Sequence, residues 1–272
     1  MELIQQALDK AKKQRDAAKE AQQNHVATES SKSESIATDE INYSQTQKVE
    51  ISKNEMLQNR VVAAIQNDPR GDVYKILRTK VLQRMRAKGS NVLAVTSPVS
   101  GAGKSLTAAN LAISIAMDAN YSVLLVDLDL RHPELHKYFG LSPEYGLGDY
   151  FNGDQSISDI LIHPGLESLV ILPAGRSLER SSDLLSTPKM LELTNELKHR
   201  YPDRIVVVDL PPLLQTDDAM MFMPNVDTCL LVVAEGENTT AEVQRSVELI
   251  DETKFLGTVL NKSVEENLPQ YY

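Results

Sequence analysis

The stretch that decides the fold is Asn91-Val92-Leu93-Ala94-Val95-Thr96-Ser97-Pro98-Val99-Ser100-Gly101-Ala102-Gly103-Lys104-Ser105. It starts as a β-branched, apolar run and ends in a glycine-bearing turn, and the helical pattern Leu106–Met117 follows. Glycines let the backbone approach an anion closely, so successive N–H groups can wrap phosphate oxygens. The helix N-terminus adds the positive end of its dipole. Ser100, Gly101, Ala102, Gly103, Lys104, Ser105 and Leu106 are therefore the expected phosphate cradle. Lys104 would reach the β/γ-phosphates, and the Ser105 hydroxyl would take Mg²⁺. Pro98 stands where the general pattern has its first glycine.

Five more short apolar runs follow: Ser122–Asp127, Leu169–Leu172, Ile205–Asp209, Thr228–Val233 and Gly257–Leu260. They alternate with helical patterns, and their continuous apolar character suits strands covered on both faces. The expected fold is α/β, a P-loop NTPase with a mostly parallel sheet and helices on both faces. Ligands of such sheets bind at the carboxyl ends of the strands. Two of those ends carry carboxylates. Val126-Asp127-Leu128-Asp129-Leu130-Arg131 places two at i and i+2, on one side of an extended segment. Val208-Asp209-Leu210-Pro211-Pro212 closes another strand. Beside a phosphate cradle these suit a metal ion and a proton acceptor; by themselves they would also serve as strand-end caps. Arg131 either balances the carboxylates or touches phosphate.

The chain has 272 residues, 28 basic and 38 acidic, for a net charge of −10, and a single cysteine. An intramolecular disulfide and any cysteine-rich metal site are excluded, and a reducing cytoplasm is the natural compartment. No apolar window is long enough to span a membrane, and the N-terminus has no secretory pattern. The acidic balance argues against nucleic-acid binding. His132 and His136 form an i,i+4 pair that reads as surface, and Cys229 reads as a small core residue.

Upstream of the first strand the composition changes: the first proline is Pro69 and the first glycine Gly71. Residues 2–20 read as a helix, either a docking element or a solvated one, and 21–48 as a polar linker. A second helix is expected over Met56–Ile65 and a third over Asp72–Ala87, with Val73, Ile76, Leu77, Val81 and Met85 on its inner face. The basic residues on its other faces read either as a solvated surface or as an interface. The expected divisions are 1–60, a body at 61–262, and a polar tail at 263–272.

Together these motifs resemble the bacterial tyrosine kinases (BY-kinases) of capsule and exopolysaccharide synthesis, within the MinD/ParA-like P-loop proteins. Asp127-Leu128-Asp129-Leu130-Arg131-His132-Pro133 is similar to that family's second Walker motif, and Asp209-Leu210-Pro211-Pro212 with Asp218-Ala219 to its third. Asp72, Lys75 and Arg78 stand where the family has a Glu-x-x-Arg-x-x-Arg self-association motif, and Leu260-Asn261 matches its strand-end asparagine. The resemblance implies an ATP- and Mg²⁺-dependent autokinase. Asp127 would orient or deprotonate the acceptor tyrosine, Asp129 and Asp209 would hold Mg²⁺ with Ser105, and Arg131 and Asn261 would border the nucleotide. Tyr271 and Tyr272, all that remains of the family's C-terminal tyrosine cluster, would be the phosphoacceptors; the plainer reading is an apolar end that docks on the body. It further implies a cytoplasmic protein held at the inner membrane by a separate chain-length determinant, and a phosphotyrosine phosphatase as counterpart. A ParA/MinD-like positioning ATPase is the alternative.

Overall fold

The computed structural model describes residues 47–263 apart from 167, 180 and 200–202. The expected helix over 2–20, most of the 21–48 linker and the tail with Tyr271 and Tyr272 lie outside the described residues.

The expected six strands all form: β2 (Val92–Thr96), β3 (Ser122–Asp127), β5 (Leu169–Leu172), β6 (Arg204–Asp209), β7 (Thr228–Ala234) and β8 (Phe255–Asn261). Two-residue strands β1 (Gln47–Lys48) and β4 (Ile162–His163) extend one edge; they are too short to show a period. Among the described residues the sheet order is β1-β4-β5-β3-β6-β2-β7-β8. Every neighbouring pair is parallel except β4 and β5.

Strand side chains alternate between two cores, as the two-residue period requires. Leu93, Val95, Val123, Leu125, Val207 and Val232 face helices α2 (Pro69–Ala87) and α3 (Lys104–Ala116). Val92, Val126, Val206 and Val208 face the other way, toward Met190 and Leu193 of α8 (Pro188–His199) and Phe222 of α9 (Asp218–Phe222). Between α3 and α8 the chain adds three short helices, α4 (Leu135–Tyr138), α5 (Leu147–Asn152) and α6 (Ile157–Ile160), and then α7 (Ser181–Leu185); α10 (Thr240–Leu249) joins β7 to β8. Every residue of α3 except Leu106 is buried. Its run of alanine, serine and threonine keeps the helix thin enough to lie directly on the sheet.

Two expectations about the helices are corrected. The helix expected over Met56–Ile65 is α1, Lys53–Gln58. Ser52 and Glu55 form a capping box that starts it earlier. It stops early because Arg60 turns left-handed, at φ 60. Helix α2 begins at Pro69, capped by the Asp68 carboxylate, three residues before the expected start. Of its expected inner face only Val81 and Met85 are fully buried, joined by Leu82; Val73 and Ile76 are exposed. At that end Gly71 lies against the Val62 carbonyl, so backbone rather than a side-chain stripe makes the contact.

Candidate functional site

Strands β3, β6 and β2 are neighbours, so their carboxyl ends meet. Asp127 and Asp209 are register partners on β3 and β6, and Val95 of β2 pairs with Asp209 from the other side. The backbone stitches the three exits together: Leu128 N–H donates to the Asp209 carbonyl (2.9 Å) and Leu210 N–H to the Val95 carbonyl (2.9 Å). The Thr96 hydroxyl donates to the Pro211 carbonyl (2.7 Å). Residues up to 115 positions apart in the chain thus form one floor.

Above it, the turn from β2 into α3 ends at Gly103, the N-cap, with φ 90. A left-handed backbone favours glycine, and a Cβ here would lie 2.2 Å from Asn261 Nδ2. No side chain caps α3, so the amides of its first turn are open to an anion. Asn261, at the end of β8, donates to the Ala102 carbonyl (2.8 Å) and pins the loop from behind. Gln215 holds the far side: its Oε1 accepts from Ser100 N–H at 3.0 Å.

Lys104 bends back to the floor. Its ammonium is 2.8 Å from Asp129 Oδ2 and 3.3 Å from Asp209 Oδ1, and it donates to Ser105 Oγ at 3.1 Å. Burial disfavours its charge, but Asp209 and Asp129 outweigh burial and hold the Lys104 ammonium above its ordinary range. Asp127 is fully buried, and its oxygens accept the backbone N–H groups of Asp129 (3.1 Å) and Leu135 (3.2 Å). Burial, then the charge of Asp209, pushes the Asp127 carboxyl well up. Asp209 is raised as well, by burial, against the pull of Lys104.

Three buried carboxylates thus share one ammonium, an excess of negative charge that a divalent cation would balance. Among the described residues no group of three or more His, Cys, Asp and Glu side chains has metal-binding geometry by itself. The set Asp129, Asp209 and Ser105 still fits Mg²⁺, which takes one or two carboxylates and completes its octahedron with substrate phosphates and water. The uncapped helix end beside it fits those phosphates.

The structure brings Ser100, Gly101, Ala102, Gly103, Lys104, Ser105, Leu106, Asp127, Asp129, Asp209 and Asn261 together. Arg131 is engaged elsewhere. Its guanidinium forms a two-bonded pair with the fully buried Asp218 (Nε to Oδ2 3.0 Å, Nη2 to Oδ1 3.1 Å), and Ser181 donates to the same carboxylate. Arg131 therefore balances a carboxylate, as one of its two readings had it, but the partner is Asp218 rather than Asp127 or Asp129. Arg78, placed with Asp72 and Lys75 on a self-association face, turns inward to the Ser114 carbonyl of α3 (2.8 Å), whereas Lys75 pairs with Asp72 in solvent. Cys229 is completely buried, and its thiol is pushed up to about 12 by burial, as a core residue requires.

An open cleft of about 610 Å³ lies over Gly101, Gly103 and Leu106. Arg60, Lys137, Tyr138 and Lys262 line its other walls. None of these four carried a motif signal; the fold alone gathers them.

Residues 93–271 match the CobQ/CobB/MinD/ParA nucleotide-binding domain family. The chain is 33% identical over 202 residues to the putative tyrosine-protein kinase CapB of Staphylococcus aureus, covering 73% of this chain and 87% of CapB. It is 31% identical over 209 residues to the putative tyrosine-protein kinase EpsB of Ralstonia nicotianae, which covers 76% of this chain but only 27% of EpsB. The chain therefore spans about a quarter of the length of that larger relative. Among solved structures, the kinase domain of the Escherichia coli tyrosine kinase ETK superposes with a TM-score of 0.70 at 26% identity, over 83% of this chain and 91% of that domain.

Proposed function

Because the chain belongs to the bacterial tyrosine kinases, within the CobQ/CobB/MinD/ParA nucleotide-binding family, we propose that it transfers the γ-phosphoryl group of ATP to protein tyrosines, in a capsule or exopolysaccharide system. The observation that carries this reading is the convergence of Lys104, Asp129 and Asp209 beneath an uncapped helix N-terminus.

Phosphoryl transfer asks a protein mainly for positioning and charge neutralisation. The amides of Gly101 to Leu106 hold the phosphates, and Gly103 lets the backbone close on them. Asp129, Asp209 and the Ser105 hydroxyl would hold Mg²⁺, which would supply positive charge against the phosphates. Lys104 leaves the carboxylates and takes the charge that develops on the transferring group. Asp127 orients the acceptor hydroxyl and takes its proton. Asn261 keeps the cradle closed from the β8 side.

The acceptors in this reading are Tyr271 and Tyr272, presented to the site of a second copy, with α2 as the contact between copies. The protein works in the cytoplasm, against the inner membrane. A separate chain-length determinant holds and activates it there, and a phosphotyrosine phosphatase reverses the modification. No helix among the described residues is long and apolar enough to cross a membrane.

The test is phosphotyrosine formation by the purified chain with Mg-ATP, with and without the cytoplasmic segment of its membrane partner. Signal in the intact chain and a strongly reduced one in Lys104→Met is the expected result. Absence of phosphotyrosine under both conditions refutes the kinase reading. Signal that survives Tyr271→Phe/Tyr272→Phe refutes the tail as sole acceptor and leaves the enzyme standing.

A further inference from the structure

Arg60 has one of the least comfortable backbones in the described molecule. Its φ is 60, in the left-handed region, where a side chain with a Cβ pays a steric cost. Non-glycine residues persist in such conformations only where their surroundings over-determine them, and they concentrate at ligand sites. Arg60 is over-determined in this sense. Asn110, fully buried on α3, accepts from the N–H groups of Val62 (2.8 Å) and Ala63 (3.0 Å) through its Oδ1. Its Nδ2 donates to the carbonyls of Arg60 (3.2 Å) and Leu106 (3.0 Å). One buried amide therefore ties the strained residue to the first turn of the helix that follows the phosphate loop. On the other side, Asn59 Nδ2 donates to the Lys137 carbonyl at 3.0 Å.

The result is an exposed guanidinium on the wall of the cleft above Gly101, Gly103 and Leu106. It makes no ion pair among the described residues. The other two cations of this wall are already matched: Lys137 with Glu134 (3.3 Å) and Lys262 with Glu237 (2.7 Å). Tyr138 lines the same cleft half-buried, and its phenol is raised by burial and by the charge of Glu134.

We propose that Arg60 is a nucleotide-contacting residue, its guanidinium donating to the phosphates nearest the ribose, on the side that Lys104 does not serve. The assignment rests on the reading of the site as an ATP site. It deepens that reading by adding a cation from outside every motif, on the segment that leads directly into α2. A planar fork of donors suits phosphate oxygens, and the position beside Leu106 puts it at the first turn of α3 rather than at the γ end. ATP and ADP should therefore feel it equally.

The experiment is titration of the full chain with Mg-ATP and with Mg-ADP by calorimetry, using wild type, Arg60→Ala, Arg60→Gly and Arg60→Lys. Loss of a charged hydrogen-bond donor predicts binding about tenfold weaker for both nucleotides in the alanine and glycine variants, with partial recovery in the lysine variant. Glycine is at ease at φ 60, so Arg60→Gly should keep or raise the melting temperature while it loses affinity. That combination separates lost binding from lost folding. Glycine and alanine variants that bind both nucleotides within twofold of wild type overturn the assignment. A loss confined to ATP overturns the placement near the ribose. A folded wild type that binds neither nucleotide overturns the ATP reading itself, and this one with it.

Discussion

Lys104 Nζ lies 2.8 Å from Asp129 Oδ2 and 3.3 Å from Asp209 Oδ1, buried with both. A lysine folded onto two buried carboxylates supplies them with a counter-charge inside the protein. Buried carboxylates without a counter-charge are costly, which gives the lysine a structural task beside the catalytic one proposed for it.

Lys104→Met should lower phosphotyrosine formation by on the order of 10²- to 10³-fold, as losing a transition-state donor does elsewhere. It should also lower the urea midpoint, since Asp129 and Asp209 lose their cation. Adding Mg²⁺ should raise the midpoint of this variant more than that of the wild type. Equal shifts in the two proteins would mean that these carboxylates do not hold the metal.

Gly103→Ala and Gly101→Ala separate strain from contact. Both glycines have positive φ, 90 and 83, but only the Cβ at 103 meets an atom, Asn261 Nδ2 at 2.2 Å. The alanine at 101 should cost about 1 kcal/mol and the alanine at 103 about 3 kcal/mol, with nucleotide binding lost only in the second. Chemical denaturation and calorimetry on the pair test the difference.

The Arg131–Asp218 pair should be asymmetric. Arg131→Ala leaves a fully buried carboxylate with the Ser181 hydroxyl as its remaining side-chain donor and should cost about 3 kcal/mol at pH 7. Asp218→Ala leaves a guanidinium whose side chain is 31% exposed and can hydrate, so its cost should be smaller. Urea unfolding of the two variants measures the order, and the reverse order would refute the burial argument.

Asp227 ties the start of β2 to α8. Its carboxylate accepts from the N–H groups of Asn91 (3.1 Å) and Val92 (3.1 Å) and pairs with Lys198. Burial works against the charge, but the Lys198 bond and the two amides prevail and lower its pKa below the ordinary 3.8. The folded chain therefore binds this proton less readily than the unfolded one. Its stabilisation is present above about pH 4 and fades as pH falls through the lowered folded value. Asp227→Ala should cost about 1–3 kcal/mol at pH 7, and the gap to wild type should narrow below pH 4. A gap that stays constant down to pH 2 would show that ionisation of Asp227 contributes nothing.

Much of the molecule was legible in the chain. Six apolar runs, the turn Ser97–Ser105 and the carboxylates at 127, 129 and 209 set the sheet, the uncapped start of α3 and the acids at the sheet's rim. Each is a local signal: strand period, glycine conformation, a charged residue ending an apolar run. What tertiary structure decided is everything set by a partner distant in sequence. The inner face of α2 shifted because Gly71, not Val73 or Ile76, meets the neighbouring segment. Arg131 found Asp218 rather than the acids beside it, and Arg78 found the Ser114 carbonyl. Arg60 carries no motif at all, and the buried amide of Asn110, fifty residues away, helps hold it over the cleft. Periodicity reports which residues want burial or a turn; which polar group satisfies which is settled when the chain closes and every buried donor must find an acceptor.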